Sequence, residues 1–121
     1  MWHVNNAMYL AYLEEVSLRL GEALGWPMAR MLAAGFGMVA REQRIEYRIP
    51  AQLDDELEVT TWFSAIRPAT TRQHYAIYRT ADHALLARAH ARWAWVDLKT
   101  RRPIRIPPSF AAALAPYVSN E

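Results

Sequence analysis

Cysteine is absent from this sequence, which excludes disulfides and Cys-based zinc sites and makes the cytoplasm the expected location. Lysine is nearly absent too: of fourteen basic residues, only Lys99 is not Arg. A GC-rich genome explains that bias most cheaply, although the planar guanidinium does suit phosphate because it binds two oxygens at once. Neither sign of charge dominates, since fourteen Lys and Arg stand against twelve Asp and Glu for a formal net charge of +2. The charges are spread along the chain rather than massed, so no nucleic-acid partner is expected. Long apolar runs are missing as well: each is broken by charge or Pro within a few residues, so no membrane span is expected. The N-terminus lacks a basic region followed by an apolar run, so no secretory signal is expected. His74, His83 and His90 have no ligand-like grouping, so neither a metal nor another cofactor is expected. Repeats, linkers and low-complexity tracts are lacking.

What is present is an ordinary globular composition. The 121 residues are 53% hydrophobic and 21% charged, enough for a single two-layer core, and 1–121 is read as one domain. Asn6 is a good N-cap, because its side chain can accept a bond from an otherwise unpaired backbone N–H. Residues 7–24 carry good helix formers and no Pro, and Gly25 stands where a left-handed C-terminal cap is wanted. Met8, Leu10, Leu13, Val16, Leu20 and Leu24 make this helix apolar nearly all round, with Glu14, Glu15, Arg19 and Glu22 as its polar edge. Such a helix is expected to be mostly buried. Trp26-Pro27 opens a short second helix, with Pro27 at its first position, that ends at Gly35.

From Gly37 the pattern switches to period two. Strands are predicted over 38–49, 56–66, 72–79 and 85–97, with Pro50 ending the first and Ala81-Asp82-His83 turning between the last two. In the first, Glu42, Arg44, Glu46 and Arg48 share one face, and Val39, Ile45, Tyr47 and Ile49 the other. In the fourth, Ala87, Ala89, Ala91, Trp93 and Trp95 share a face, opposite Arg88, His90 and Arg92. Small Ala side chains on an inward face allow a bulky element, here the first helix, to approach closely. A turn over 99–103, an extended stretch over 104–108 and a short helix over 109–114 complete the chain. One long helix followed by antiparallel strands predicts an α+β fold, a sheet wrapped on a helix.

The segment His3-Val4-Asn5-Asn6-Ala7-Met8-Tyr9, with Tyr12 and Glu15 behind it, resembles the signature of the hotdog-fold thioesterases. Ile45-Glu46-Tyr47-Arg48-Ile49-Pro50, the run from Leu53 to Val59, and Trp95-Val96-Asp97-Leu98 with Arg101-Arg102-Pro103 and Pro107 resemble later parts of the same family in the expected order. The resemblance implies a hotdog domain that hydrolyses acyl-CoA or acyl carrier protein thioesters, with the carbonyl bound at the start of the first helix and pantetheine threading between two subunits. His3, Asn5, Asn6 and Glu15 are then the candidate catalytic residues, and Val4, Tyr9 and Tyr12 the candidate substrate contacts. Arg101, Arg102 and Arg105, the densest basic cluster, are candidates for the CoA phosphates. A homodimer, or a tetramer of such dimers, is expected, each site being built from both chains.

The chemistry suits the segment. Unpaired N–H groups at a helix start form an oxyanion site strengthened by the helix dipole, and a nearby His titrates near neutral pH. The family's usual Asp ahead of the His has no counterpart, since only Met1 and Trp2 precede His3, and a further Glu used by plant acyl carrier protein enzymes falls at or beside Pro50. The expectation is therefore that an N-terminal strand is missing from the chain and that the natural protein carries one more, with an Asp before His3. Glu15 and Glu42 are the substitutes otherwise. Blander readings stand beside these: Asn6 as a structural cap, Tyr9 and Tyr12 as packing residues, Glu15 in a surface salt bridge with Arg19, and the Arg cluster as a charged turn. Two rival functions are a hotdog hydratase or dehydratase, against which the tandem Asn5-Asn6 argues, and a non-catalytic module that binds acyl thioesters.

Overall fold

The computed structural model describes residues 6–52 and 54–119, with side chains described from Tyr9 onward. Its elements are α1 (Asn6–Ala23), α2 (Met28–Ala34), β1 (Phe36–Tyr47), β2 (Leu57–Ser64), β3 (Thr70–Arg79), β4 (Ala84–Asp97), α3 (Pro108–Leu114) and a 3-10 turn (Ala115–Tyr117). The four strands form one antiparallel sheet in the order β1-β4-β3-β2, which leaves β1 and β2 as its edges.

Helix α1 stops where the sequence says it should: Gly25 adopts a φ of 83°, open to glycine at no steric cost. Pro27 is the N-cap of α2 rather than its first residue, and Gly35 caps the other end at φ 85°, its N–H shared between the Leu32 and Met31 carbonyls. Arg30 clamps the bend between the helices, its guanidinium 3.7 Å from the Trp26 ring centroid and Nη1 donating to the Gly25 carbonyl at 2.6 Å. At the far end of β4, Asp97 accepts the Lys99 and Thr100 N–H groups, both at 2.8 Å, and these bonds hold its carboxyl below the usual carboxylate range.

The inward face of β4 is the one the alternation predicts. Ala87, Ala89, Ala91 and Trp95 are buried, and Tyr9 and Leu13 of α1 pack against the three alanines together with Tyr75 and Ile77 of β3. A second cluster, Trp26, Phe36, Phe63, Trp95, Ile106, Phe110 and Leu114, closes the other end of the sheet. Helix α1 thus begins beside Tyr47 and Ala87 and ends, through Leu20 and Leu24, beside Trp95 and Phe36.

Two expectations are corrected. Val39 does not share a face with Ile45 and Tyr47, because a bulge between Ala40 and Glu42 inserts Arg41 and inverts the alternation. Val39 stands opposite Ala94, on the outer face with Glu42, Arg44 and Glu46, whose cross-strand partners are Arg92, His90 and Arg88. Nor is α1 mostly buried within one chain: Tyr9 and Leu13 are, but Leu18 is 53% exposed. The helix lies over the sheet with a gap beneath much of its length, and that gap is the candidate site.

Candidate active site

A cavity of about 460 Å³ separates α1 from the inner face of the sheet, a volume within the ordinary range of ligand pockets. Helix α1 lines it from Leu10 to Gly21, a run about 16 Å long at about 1.5 Å per residue, and Leu24 continues the wall just past the helix end. Met31 of α2, Met38 and Ile45 of β1, and Ala89, Ala91 and Trp93 of β4 are among the residues of the remaining apolar wall. The small Ala side chains on β4 are what leave room. Leu18, Met28 and Leu32 are the most exposed large apolar side chains of the cavity wall, at 53–57%.

The floor is polar. The Ser17 and Tyr75 hydroxyl oxygens are 2.7 Å apart, and Ser17 also lies 3.4 Å from Gln73 Oε1. Trp93 Nε1 donates to Gln73 Oε1 at 3.0 Å, while Gln73 Nε2 donates to Thr61 Oγ1 at 2.9 Å, and that hydroxyl donates on to the His74 carbonyl. Burial pushes the Tyr75 phenol up, against the opposing pull of its hydrogen bonds with Ser17 and Trp93, so it is protonated at neutral pH. No sequence motif announces this cluster. Its signal is only that Thr71 and Gln73 fall on the same face as Tyr75 and Ile77, where apolar side chains are expected.

The residues singled out from sequence are distributed unevenly. His3, Val4 and Asn5, and the side chain of Asn6, lie outside the described residues; the backbone of Asn6 begins α1. Tyr9 is buried beneath the helix start and packs edge-on to Tyr47, ring centroids 5.4 Å apart. Burial pushes its phenol up too, against the Ala51 backbone. Neither Tyr9 nor Tyr12 borders the cavity. Glu15 points to solvent and pairs with Arg19 at 2.9 Å, while its neighbour Glu14 borders the cavity. Glu42 is on the outer face, 3.8 Å from His90 Nε2.

Arg101, Arg102 and Arg105 are exposed, Arg101 at a left-handed φ of 63° in the turn that closes Asp97. They stand at the opposite end of the sheet from the start of α1. Along β4, Ala87 and Asp97 are separated by about 33 Å at roughly 3.3 Å per residue. One chain therefore does not bring its own basic cluster to its own helix start. Among the described residues, no three His, Asp or Glu converge in a way that would hold a metal ion.

The comparison with known proteins agrees with this architecture. The family model of the thioesterase-like superfamily matches residues 1–114, and the chain belongs to that superfamily. It is 29% identical over 107 residues to the long-chain acyl-CoA thioesterase FadM of Escherichia coli K12, covering 86% of this chain and 78% of that protein. It is 28% identical over 109 residues to the acyl-CoA thioester hydrolase YbgC of Escherichia coli O6:H1, covering 90% and 81%. In fold it superposes on Slr0204, a 1,4-dihydroxy-2-naphthoyl-CoA thioesterase from Synechocystis, with a TM-score of 0.86 at 19% identity over 93% of this chain and 83% of that one. The α+β arrangement is the hotdog fold.

Proposed function

We propose that this protein hydrolyses acyl-CoA thioesters to the free acid and CoA. The observation that carries the reading is the cavity along α1, an apolar slot leading away from the start of the helix, which in the sequence follows directly on His3-Val4-Asn5. The acyl chain lies in the slot and the thioester carbonyl at the first turn of α1. Backbone N–H groups there stabilise the oxyanion as water adds to the carbonyl carbon. His3 takes a proton from that water as it adds and delivers it to the sulfur as the C–S bond breaks, so that acid and thiol leave. The names of FadM and YbgC support acyl-CoA as the substrate class. Release of free thiol from acyl-CoA tests the reading, with acyl carrier protein thioesters as the second donor to compare.

The protein acts as a homodimer or a tetramer of dimers in this reading. Strand β1 is an edge of twelve residues with Val39 and Tyr47 exposed along it, and Leu18, Met28 and Leu32 leave the cavity rim apolar and uncovered. Light scattering at micromolar concentration is expected to give two or four times the 13.9 kDa chain mass; one chain mass contradicts it.

Dimerisation also gives the Arg cluster a role, because only a partner's Arg101, Arg102 and Arg105 are free of the separation imposed by the sheet. Replacing them with Ala is expected to raise KM for acyl-CoA by roughly tenfold or more per lost charge-assisted contact. An acyl-pantetheine substrate, which carries no nucleotide, should be indifferent. Equal losses with both substrates indicate a charged turn and nothing more.

A further inference from the structure

We infer that the cavity is built for an acyl group bearing an oxygen far from the thioester, a hydroxyl or oxo substituent recognised by Gln73, Tyr75 and Ser17. The inference rests on the proposed thioesterase reading for the place of the thioester, and on the polar floor for the rest. A slot meant only for a hydrocarbon has no use for a buried amide: Gln73 is 2% exposed and Tyr75 4%, both bordering the cavity with Ser17. Buried polar groups are retained where they find partners.

A count of donors and acceptors shows what is left over. Gln73 Oε1 accepts the Trp93 indole N–H, and Ser17 turns its one hydroxyl proton either to that oxygen or to Tyr75. Of the two Nε2 protons, one goes to Thr61 Oγ1, and the other meets no acceptor among the described residues. Ser17 and Tyr75 share one contact, and their hydroxyls rotate. The cluster thus offers an amide donor and, when Ser17 donates to Tyr75, the Tyr75 hydroxyl proton as well, a set that a ligand oxygen completes and a methylene does not.

The helix gives the position. Ser17 lies eleven residues beyond Asn6, about 16 Å along α1 at about 1.5 Å per residue. With the carbonyl at the helix start, the recognised oxygen belongs to the distal part of the acyl chain rather than to the carbons next to the thioester.

The test compares pairs of CoA thioesters of equal length, one unsubstituted and one carrying a distal hydroxyl, across a series of lengths. Both kcat/KM and, by calorimetry, Kd are measured. At the length that reaches the floor, the hydroxylated member is expected to be favoured by about tenfold or more, because an unmet buried donor discriminates strongly. That ratio should collapse toward one in Gln73→Met. Tyr75→Phe, which alters the cluster with less disturbance to folding, should also reduce it. Equal constants within every pair, or a preference that survives both variants, overturns the inference. Failure to release thiol from any member would instead overturn the thioesterase reading, and the Kd ratios still decide whether the floor selects oxygen.

Discussion

His3→Ala is expected to lower kcat for acyl-CoA hydrolysis by about 10²–10⁴-fold, the range contributed by a positioned acid–base group. The loss should fall on kcat rather than KM, since the role proposed for His3 is proton transfer and the acyl chain is held by the cavity along α1. The expected defect is in the chemistry and not in folding, so thermal stability should move by no more than about 0.5 kcal/mol. Steady-state kinetics with a thiol-reactive dye checks the first point and thermal unfolding the second. Unchanged kcat with a folded variant removes His3 from the mechanism.

Trp95→Ala should have the largest effect on stability. Trp95 is wholly buried and is met edge-on by Phe110, ring centroids 5.5 Å apart, within the cluster that joins α2, β1, β2 and α3. Truncating such a ring costs about 3–5 kcal/mol in transfer and cavity terms, which for a domain of this size lowers Tm by roughly 10–20 °C. Trp95→Phe should cost much less than its lost volume suggests. The indole Nε1 is buried without a hydrogen-bond partner among the described residues, so replacement by Phe relieves an unmet donor. Melting curves at one fixed protein concentration, to hold any assembly constant, check both. A Trp95→Phe variant no more stable than Trp95→Ala contradicts this account of the site.

The four strands and α1 were legible because their signals are local. Ala87 to Arg92 alternates without interruption, and Gly25 and Gly35 mark helix ends by the backbone conformation they permit. The face of Val39 is not legible because a bulge adds one residue without changing the residue types around it, and Arg41 reads as another charge in a charged stretch. The exposure of Leu18 was hidden for a different reason: an apolar helix looks the same whether its own sheet or another chain covers it. The Gln73 cluster joins side chains from α1 and three strands, in bonded pairs up to 58 residues apart, a distance no motif spans. The separation of Arg101 and Arg102 from the helix start follows from the direction of β4 relative to α1, which only the packing of Tyr9 and Trp95 at opposite ends reveals.

The central claim is thioester hydrolysis, and free-thiol release from a panel of acyl-CoAs, with hydration of enoyl-CoA followed in parallel, tests it most directly. The account predicts thiol release that depends on chain length, as a bounded cavity requires, and that is lost in His3→Ala. Hydration without thiol release would make the protein a hydratase, and acyl-CoA binding without turnover would make it a binding module; either result contradicts the account.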